Sequence, residues 1–140
     1  MRPINILLVE DDSLDAMDIK RSLDKLNVVY SLDTAGNGEE ALKSLSNRGA
    51  FGFKELPDVV LIDINMPKMN GFELLEKIRS NADLKNLKCF VITTSDARVD
   101  RQAAERLGIS GYIVKPFKLG GASLDAFNLM IDILNFKSAG

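Results

Sequence analysis

The sequence predicts an α/β fold in which parallel strands form one sheet and helices cover both of its faces. Short apolar runs of strand length, such as Ile4–Val9 and Val59–Ile62, are typical of strands that are buried on both sides. Segments with apolar residues at helical spacing lie between these runs, and this alternation is the pattern of strands joined by crossover helices. At 140 residues the chain suits one domain, so we expect residues 1–140 to form a single unit.

The first half of the chain predicts two strands, each followed by a helix. The predicted ranges, in order, are 4–9, 13–27, 28–34 and 39–46. Asp12 or Ser13 can cap the first helix, because an oxygen on either side chain can accept a bond from a free backbone N–H. Asn37 and Gly38 indicate a turn before the second helix. The glycine-containing stretch 47–56 is predicted to be a loop or an extension of that helix.

The second half predicts three further strands and three further helices. Their ranges, in order, are 59–62, 70–80, 87–93, 97–107, 111–114 and 123–136. Asn70 with Glu73 three residues later resembles a capping box at the start of the third helix. Asp96 can cap the fourth helix, and Gly108 is placed to end it.

Composition and charge exclude several classes of function. The net charge is −2 and the charged residues are scattered, so the chain lacks the basic face that nucleic acids or membrane surfaces attract. No apolar run approaches the roughly 20 residues that cross a bilayer. The only cysteine, Cys89, cannot form an internal disulfide; it lies in an apolar run, which favours a buried, inert thiol in a cytoplasmic protein. The absence of histidine from the sequence excludes hydrolases that use a Ser–His or Cys–His pair.

Polar residues follow four of the five predicted strands, at the end where parallel sheets bind their ligands. Acidic residues follow the first and third strands, hydroxyl residues follow the fourth, and a lysine follows the fifth. These residues are Glu10, Asp11, Asp12, Asp63, Thr93, Thr94, Ser95 and Lys115. Neighbouring carboxylates repel one another unless a cation lies between them, and a few carboxylates in an open pocket suit Mg²⁺.

Structural explanations that need no ligand account for some of these residues but not for all of them. Helix capping explains Asp12 better than metal binding does, but two further adjacent acids, Glu10 and Asp11, exceed what one cap requires. Asp63 is followed by Ile-Asn-Met-Pro, which does not start a helix, so capping explains it poorly. Lys115 taken alone would be a solvated surface lysine. The combination is therefore more informative than any single position.

Four segments together resemble the receiver domains of two-component response regulators, in the order and spacing of that family. These segments are 7–12, 61–71, 91–93 and 111–117. The resemblance implies a flavodoxin-like sheet with strand order 2-1-3-4-5 and five helices on its two faces. The long segment before Pro57 also resembles the single-domain regulators that partner bacterial phytochrome kinases. The glycine-rich stretch 118–122 is longer than the family's usual approach to the last helix.

The resemblance also implies a chemistry. Asp63 would accept a phosphoryl group, since a carboxylate is a competent nucleophile toward phosphorus. Mg²⁺ would be held by Glu10, Asp11, Asp63 and the backbone carbonyl of Asn65. Thr93 would contact the phosphoryl oxygens, together with the lysine that follows the fifth strand.

The remaining implied roles concern signal lifetime and switching. Lys115 would act as a compact positive charge on a phosphoryl oxygen. Asn65 and Ser95 would flank the path of the attacking water and so tune the lifetime of the aspartyl phosphate. Thr93 would move toward the phosphoryl group and Tyr112 would then rotate inward, although ordinary strand burial would also explain a tyrosine there. The altered surface would comprise the fourth helix, the fifth strand and the last helix.

The implied partners are proteins. The donor would be a sensor histidine kinase, and the signal would pass to a target protein or a histidine phosphotransfer protein, since no output domain is expected. Phe51, Phe53 and Phe136 could support a homodimer. We expect a switch with at most slow self-dephosphorylation.

Two alternatives remain open at this point. A phosphatase of the haloacid dehalogenase type would need a second acid two residues after Asp63, where Asn65 stands. A receiver-like scaffold that is never phosphorylated would not need the complete set of acids, threonine and lysine.

Overall fold

The structure, a computed structural model, describes residues 3–26, 28–47, 55–66, 68–95 and 97–115. In these ranges the strands are β1 (Ile4–Val9), β2 (Tyr30–Ala35), β3 (Val59–Ile62), β4 (Lys88–Thr93) and β5 (Gly111–Val114). They form one parallel sheet in the order β2-β1-β3-β4-β5, which confirms the predicted α/β fold and strand order.

Helices follow the first four strands in the described ranges. They are α1 (Ser13–Asp24), α2 (Gly38–Ser46), α3 (Gly71–Ser80) and α4 (Arg98–Arg106). The predicted last helix, 123–136, lies outside the described residues, as do most of the stretch 47–56 and the three phenylalanines considered for self-association. None of the described helices combines the length and apolar composition that crossing a membrane requires.

The sheet separates two apolar clusters, because successive side chains of a strand point to opposite faces. On one face Leu7 and Val9 of β1 belong to a cluster that includes residues of α2 and α3. On the other face Ile6 and Leu8 belong to a cluster that includes Ile19 of α1. All four β1 residues are buried, as the continuous apolar run predicted. The strand ends are therefore held by a sheet packed on both sides.

Capping side chains determine where three helices begin. Asp12 caps α1 by accepting bonds from the backbone N–H groups of Leu14 and Asp15, at 2.8 and 3.1 Å. Asn37 accepts a bond from a backbone N–H in the first turn of α2, so Asn37 and Gly38 start this helix rather than form a separate turn. The capping box of Asn70 at α3 is present as predicted.

Several predicted boundaries differ from the structure. The N-cap of α4 is Ala97, whose backbone N–H donates to the Ser95 hydroxyl. Asp96, which is predicted to cap this helix, lies outside the described residues. Helix α1 ends at Asp24, since the next turn tightens: the N–H of Leu26 bonds to the carbonyl three residues earlier. Strand β2 starts at Tyr30, the residue that pairs with the first residue of β1.

Arg79 ties the end of α3 to two neighbouring segments. Its guanidinium donates to the carbonyls of Lys85 and Leu87, just before β4, at 3.0 and 2.8 Å. It also donates to the carbonyls of Leu107 and Gly108, at 2.9 and 2.8 Å. Gly108 has a φ of 79°, the left-handed backbone that commonly ends a helix. This network fixes the end of α4 against α3.

Candidate functional site

The polar residues after β1, β3, β4 and β5 meet at the carboxyl edge of the sheet. Backbone bonds continue the sheet by one residue: the N–H of Asp63 bonds to the carbonyl of Val9 at 3.0 Å, and that of Lys115 to the carbonyl of Thr93 at 2.7 Å. Likewise the N–H of Glu10 bonds to a carbonyl of β2. The first side chains beyond the strands are thus held by the sheet itself.

Three acids form a cluster in this pocket. Glu10, Asp11 and Asp63 each have a carboxylate oxygen within 4.8 Å of one on the other two. Glu10 and Asp63 are buried, whereas Asp11 is exposed. The Oε2 atom of Glu10 is buried and has no hydrogen-bond partner among the described residues. Such an orphaned oxygen beside two further carboxylates fits the oxygen ligands that a hard divalent cation takes.

Lys115 lies inside the pocket rather than on the surface. Its side chain is buried, and its Nζ atom contacts Oε1 of Glu10, Oδ2 of Asp15 at 2.8 Å and Oδ2 of Asp63 at 3.3 Å. Burial lowers the pKa of Lys115, but hydrogen bonds from the ammonium to Asp15 and Glu10 and the charge of Asp63 outweigh it and raise the pKa above its ordinary value. The lysine therefore stays charged at neutral pH.

The pKa of Glu10 is also raised, but for a carboxyl group this favours the neutral form. Burial, together with the neighbouring Asp63 carboxylate, raises the pKa of Glu10 to about 8, although Lys115 opposes this increase. The buried carboxyl is thus poorly compensated by the protein's own charges. Additional positive charge in the pocket would favour its ionised form.

Thr93, the last residue of β4, is hydrogen-bonded to the loop that follows β3. It is buried, and its hydroxyl oxygen accepts bonds from the Asn65 side-chain amide at 3.3 Å and from the Ser95 backbone N–H at 3.2 Å. The Asn65 backbone N–H donates to Oδ1 of Asp63 at 3.0 Å. The predicted residues Asn65, Thr93 and Ser95 are therefore joined by hydrogen bonds to the acidic end of the pocket.

Ser95 links this pocket to α4 and β5. Its hydroxyl donates to Oδ2 of Asp100 in α4 at 2.6 Å, and its carbonyl accepts a bond from the Tyr112 hydroxyl at 3.0 Å. The guanidinium of Arg101 lies 4.7 Å from the centre of the Tyr112 ring, a cation–π arrangement. Tyr112 is half-buried and bonded to the loop that follows Thr93.

The structure adds two residues that sequence reasoning missed. Asp15 reaches Lys115 from the first turn of α1, and no pattern in the sequence indicated this contact. Gly71 packs against the loop after Asp63: a Cβ atom there would lie 2.6 Å from the Asp63 carbonyl oxygen and 2.6 Å from the Cα of Ile64. Only a residue without a side chain fits this contact unchanged.

The loop after β3 contains one unusual backbone conformation. Lys68 has a φ of 65°, in the left-handed region that residues with a Cβ atom adopt at a cost. Glycine adopts this conformation without that cost, so the backbone at Lys68 favours a residue that lacks a Cβ atom.

Known proteins similar to this chain were found at the level of family, sequence and structure. The family model described as the response regulator receiver domain matches residues 6–121. Response regulator Rcp1 of Synechocystis is 31% identical over 134 residues, which cover 96% of this chain and 88% of Rcp1. Sensor histidine kinase CheAY of Helicobacter pylori is 33% identical over 112 residues, which cover 80% of this chain but 13% of CheAY. The crystal structure of the phosphorylated cyanobacterial phytochrome response regulator RcpA has a TM-score of 0.76 and 31% identity, covering 96% of this chain and 94% of RcpA.

Proposed function

The chain belongs to the response regulator receiver domains, and from this premise we propose that Asp63 is the residue that accepts the phosphoryl group. Receiver domains act as phosphoacceptor switches in two-component signalling and take phosphoryl groups from histidine kinases. The observation that carries the proposal is the position of the Asp63 carboxylate. It lies among two acids from the end of β1 and the buried ammonium of Lys115, 3.3 Å away.

The surroundings of Asp63 suit nucleophilic attack on phosphorus. A carboxylate oxygen of Asp63 forms the new bond to phosphorus, while the bond from phosphorus to the donor histidine nitrogen breaks and its electron pair returns to the imidazole. The Asn65 N–H and the Lys115 ammonium, which bond to its two oxygens, orient the carboxylate. Lys115 and the Thr93 hydroxyl then donate hydrogen bonds to oxygens of the transferred group.

A divalent cation completes the charge balance in this proposal. Receiver domains bind Mg²⁺ at an acidic pocket, and the cluster of Glu10, Asp11 and Asp63 supplies such a pocket. These three carboxylates would hold Mg²⁺ together with the backbone carbonyl of Asn65. When bound, Mg²⁺ supplies positive charge that offsets the charge on the phosphoryl oxygens. The unpartnered oxygen of Glu10 supports this assignment.

The switch would pass from Thr93 to α4 and β5. If the Thr93 hydroxyl turns to a phosphoryl oxygen, its bonds with Asn65 and Ser95 must change. Ser95 in turn bonds to Asp100 and Tyr112, so the change reaches α4 and β5 through two hydrogen bonds. The output surface would comprise these elements and the predicted helix 123–136.

Asn65 and Ser95 also have a role in the lifetime of the signal in this proposal. Asn65 is exposed and Ser95 is partly exposed, and both bond to Thr93 at the edge of the pocket. Side chains at this edge can admit or exclude the water that hydrolyses an aspartyl phosphate. Self-dephosphorylation would therefore be slow and would change with these two residues.

The partners would be other proteins. Similarity to Rcp1 and to the phytochrome response regulator RcpA supports a sensor histidine kinase of the phytochrome class as the donor. The signal would then pass to a target protein, to a histidine phosphotransfer protein or into a homodimer. The gathering of Thr93 and Lys115 around the acids favours a phosphorylated switch over an inert scaffold, and Asn65 in place of a second acid disfavours a phosphatase.

The proposal is tested by phosphorylation with a small donor. The protein is incubated with acetyl phosphate and Mg²⁺, and mass spectrometry locates the added group after peptide digestion. We expect one phosphoryl group on Asp63, and we expect EDTA or the Asp63→Asn substitution to abolish labelling. Asp83→Asn, which removes an exposed carboxylate after α3, is the matched control and should be labelled normally.

Two results would count against the proposal. Labelling of another residue in the wild-type protein would show that Asp63 is not the acceptor. Steady release of phosphate from a small phosphomonoester would favour the phosphatase alternative.

A further inference from the structure

The ammonium group of Lys115 has a partner that does not belong to the proposed metal and phosphoryl site. This partner is Asp15, in the first turn of α1, whose Oδ2 lies 2.8 Å from the lysine Nζ. The corresponding distance from Nζ to Oδ2 of Asp63 is longer, at 3.3 Å. Glu10 is the third carboxylate in contact. The ammonium is thus closer to Asp15 than to the phosphoacceptor.

These three contacts use the full donor capacity of the lysine. An ammonium group has three N–H donors and no acceptor. In the described part of the chain, three carboxylates contact this ammonium: the one after β1, the one in α1 and the one after β3. A phosphoryl oxygen on Asp63 can therefore accept a hydrogen bond from Lys115 only if the ammonium breaks its bond to one of these carboxylates.

Burial distinguishes which carboxylate can be released. The side chain of Glu10 is 1% exposed and that of Asp63 is 9% exposed, so losing the ammonium would leave either one poorly compensated. The side chain of Asp15 is 36% exposed and can exchange the ammonium for water. Asp15 is the partner that Lys115 can leave at least cost.

We propose that Asp15 is a positioning residue, which holds part of the Lys115 ammonium in the resting protein and competes with the phosphoryl group for it. This inference rests on the proposed function of Asp63. In the resting state the ion pair between Asp15 and Lys115 weakens the bonds from the lysine to Glu10 and Asp63. The oxygens of these two carboxylates are then more available to a divalent cation. During transfer, the Lys115–Asp15 contact must loosen, so Asp15 sets how readily the lysine reaches the phosphoryl oxygens.

The Asp15→Asn variant should change two properties in opposite directions. Without the charge of Asp15, Lys115 bonds more strongly to Glu10 and Asp63, so Mg²⁺ should bind about threefold more weakly. At saturating Mg²⁺ the lysine is no longer shared, so phosphorylation of Asp63 by acetyl phosphate should be about threefold to tenfold faster. The first property is measured by an NMR titration with Mg²⁺ alone, and the second by the rate of labelling.

Three further variants separate this role from simpler ones. Asp18→Asn removes the same charge from the same helix, and Asp18 pairs with Arg21 rather than Lys115, so both properties should stay as in the wild type. Asp15→Glu keeps the charge and should restore both properties toward wild-type values. In a Lys115→Ala background the Asp15→Asn substitution should have no further effect, because the pair no longer exists.

The results divide clearly. The inference is wrong if the Asp15→Asn variant behaves like the wild type or like Asp18→Asn. It is also wrong if the effect of Asp15→Asn persists in the Lys115→Ala background. In either case, labelling of Asp63 in the wild-type protein would still support the proposed function. Slower labelling in Asp15→Asn would also overturn it, because Asp15 would then help rather than compete. If the wild-type protein is not labelled on Asp63, the proposed function fails first and the inference falls with it.

Discussion

Single residues in the pocket show how charge can be buried in a functional site. Glu10 lies under the edge of the sheet with one oxygen unpartnered among the described residues, and burial raises its pKa to about 8. Lys115 lies beside it with its ammonium shared among three carboxylates. A pocket of this kind has excess negative charge that its own lysine does not fully offset. We expect this imbalance to favour the binding of a cation.

Cys89 is the residue whose chemistry follows most simply from burial. Burial raises the pKa of its thiol to about 11, against a weaker opposing effect of Arg79. Because the thiolate is the reactive form, we expect the native protein to react with a thiol reagent at pH 8 far more slowly than the protein unfolded in guanidinium. Measuring the two rates with a chromogenic disulfide tests this expectation, and equal rates would contradict it.

The same shift has a consequence for stability. The folded thiol keeps its proton at a higher pH than the unfolded thiol, so the folded state binds more protons between pH 9 and about 11. The free energy of unfolding should therefore fall as the pH rises through this window, and the contribution of Cys89 is fully present below it. Cys89→Ala should show a smaller decline over the same pH range.

Among the structural elements, the loop between β3 and α3 is held by hydrogen bonds at both of its ends. It carries Asp63 and Asn65 at one end and the capping box of Asn70 at the other. Gly71 lies directly against the backbone of its first residues. The start of α3 and the position of Asp63, the proposed acceptor, are thus mechanically connected.

Replacing this glycine tests that connection. In Gly71→Ala the new Cβ would lie 2.6 Å from backbone atoms of Asp63 and Ile64, which cannot move aside as a side-chain end can. We expect a loss of about 1 to 3 kcal/mol in the free energy of unfolding, and slower phosphorylation because the acceptor is displaced. Gly36→Ala is the control: its Cβ would meet only the flexible end of Glu40, at 3.3 Å, so little should change. Normal stability and labelling in Gly71→Ala would contradict this account.

The strands could be predicted from the sequence more accurately than the helix starts. The ranges of β1, β3 and β5 follow directly from apolar runs that end at a charged or polar residue. Helix starts depend on which of several adjacent polar side chains makes the cap. At α4 the N-cap is Ala97, which makes no side-chain cap, and its N–H bonds to the Ser95 hydroxyl, which the sequence alone does not position.

The site was predictable to the extent that it consists of residues at strand ends. Glu10, Asp63, Thr93 and Lys115 come together because parallel strands bring their carboxyl ends to one edge. Asp15 was not predictable in this way, since its contact depends on how the first turn of α1 is placed over the sheet. Neither was the link from Ser95 to α4, which depends on tertiary packing.

For the molecule as a whole, the sheet lies between two apolar clusters, and the acidic pocket proposed as the functional site lies at its edge. The family model and the likeness to RcpA agree with this arrangement. The central claim at this scale is that negative charge gathered at the sheet edge binds a divalent cation, and that the pocket can then accept the further negative charge of a phosphoryl group.

The most direct test is an NMR titration of the whole protein with Mg²⁺ in the absence of any phosphodonor. We expect saturable shifts concentrated at Glu10, Asp11, Asp63 and Asn65, and we expect them to be strongly reduced in Asp11→Asn. Asp83→Asn, which lacks an exposed carboxylate outside the cluster, should titrate as the wild type does. Shifts spread evenly over surface acids, or an unchanged titration in Asp11→Asn, would contradict the claim that this pocket is a cation site.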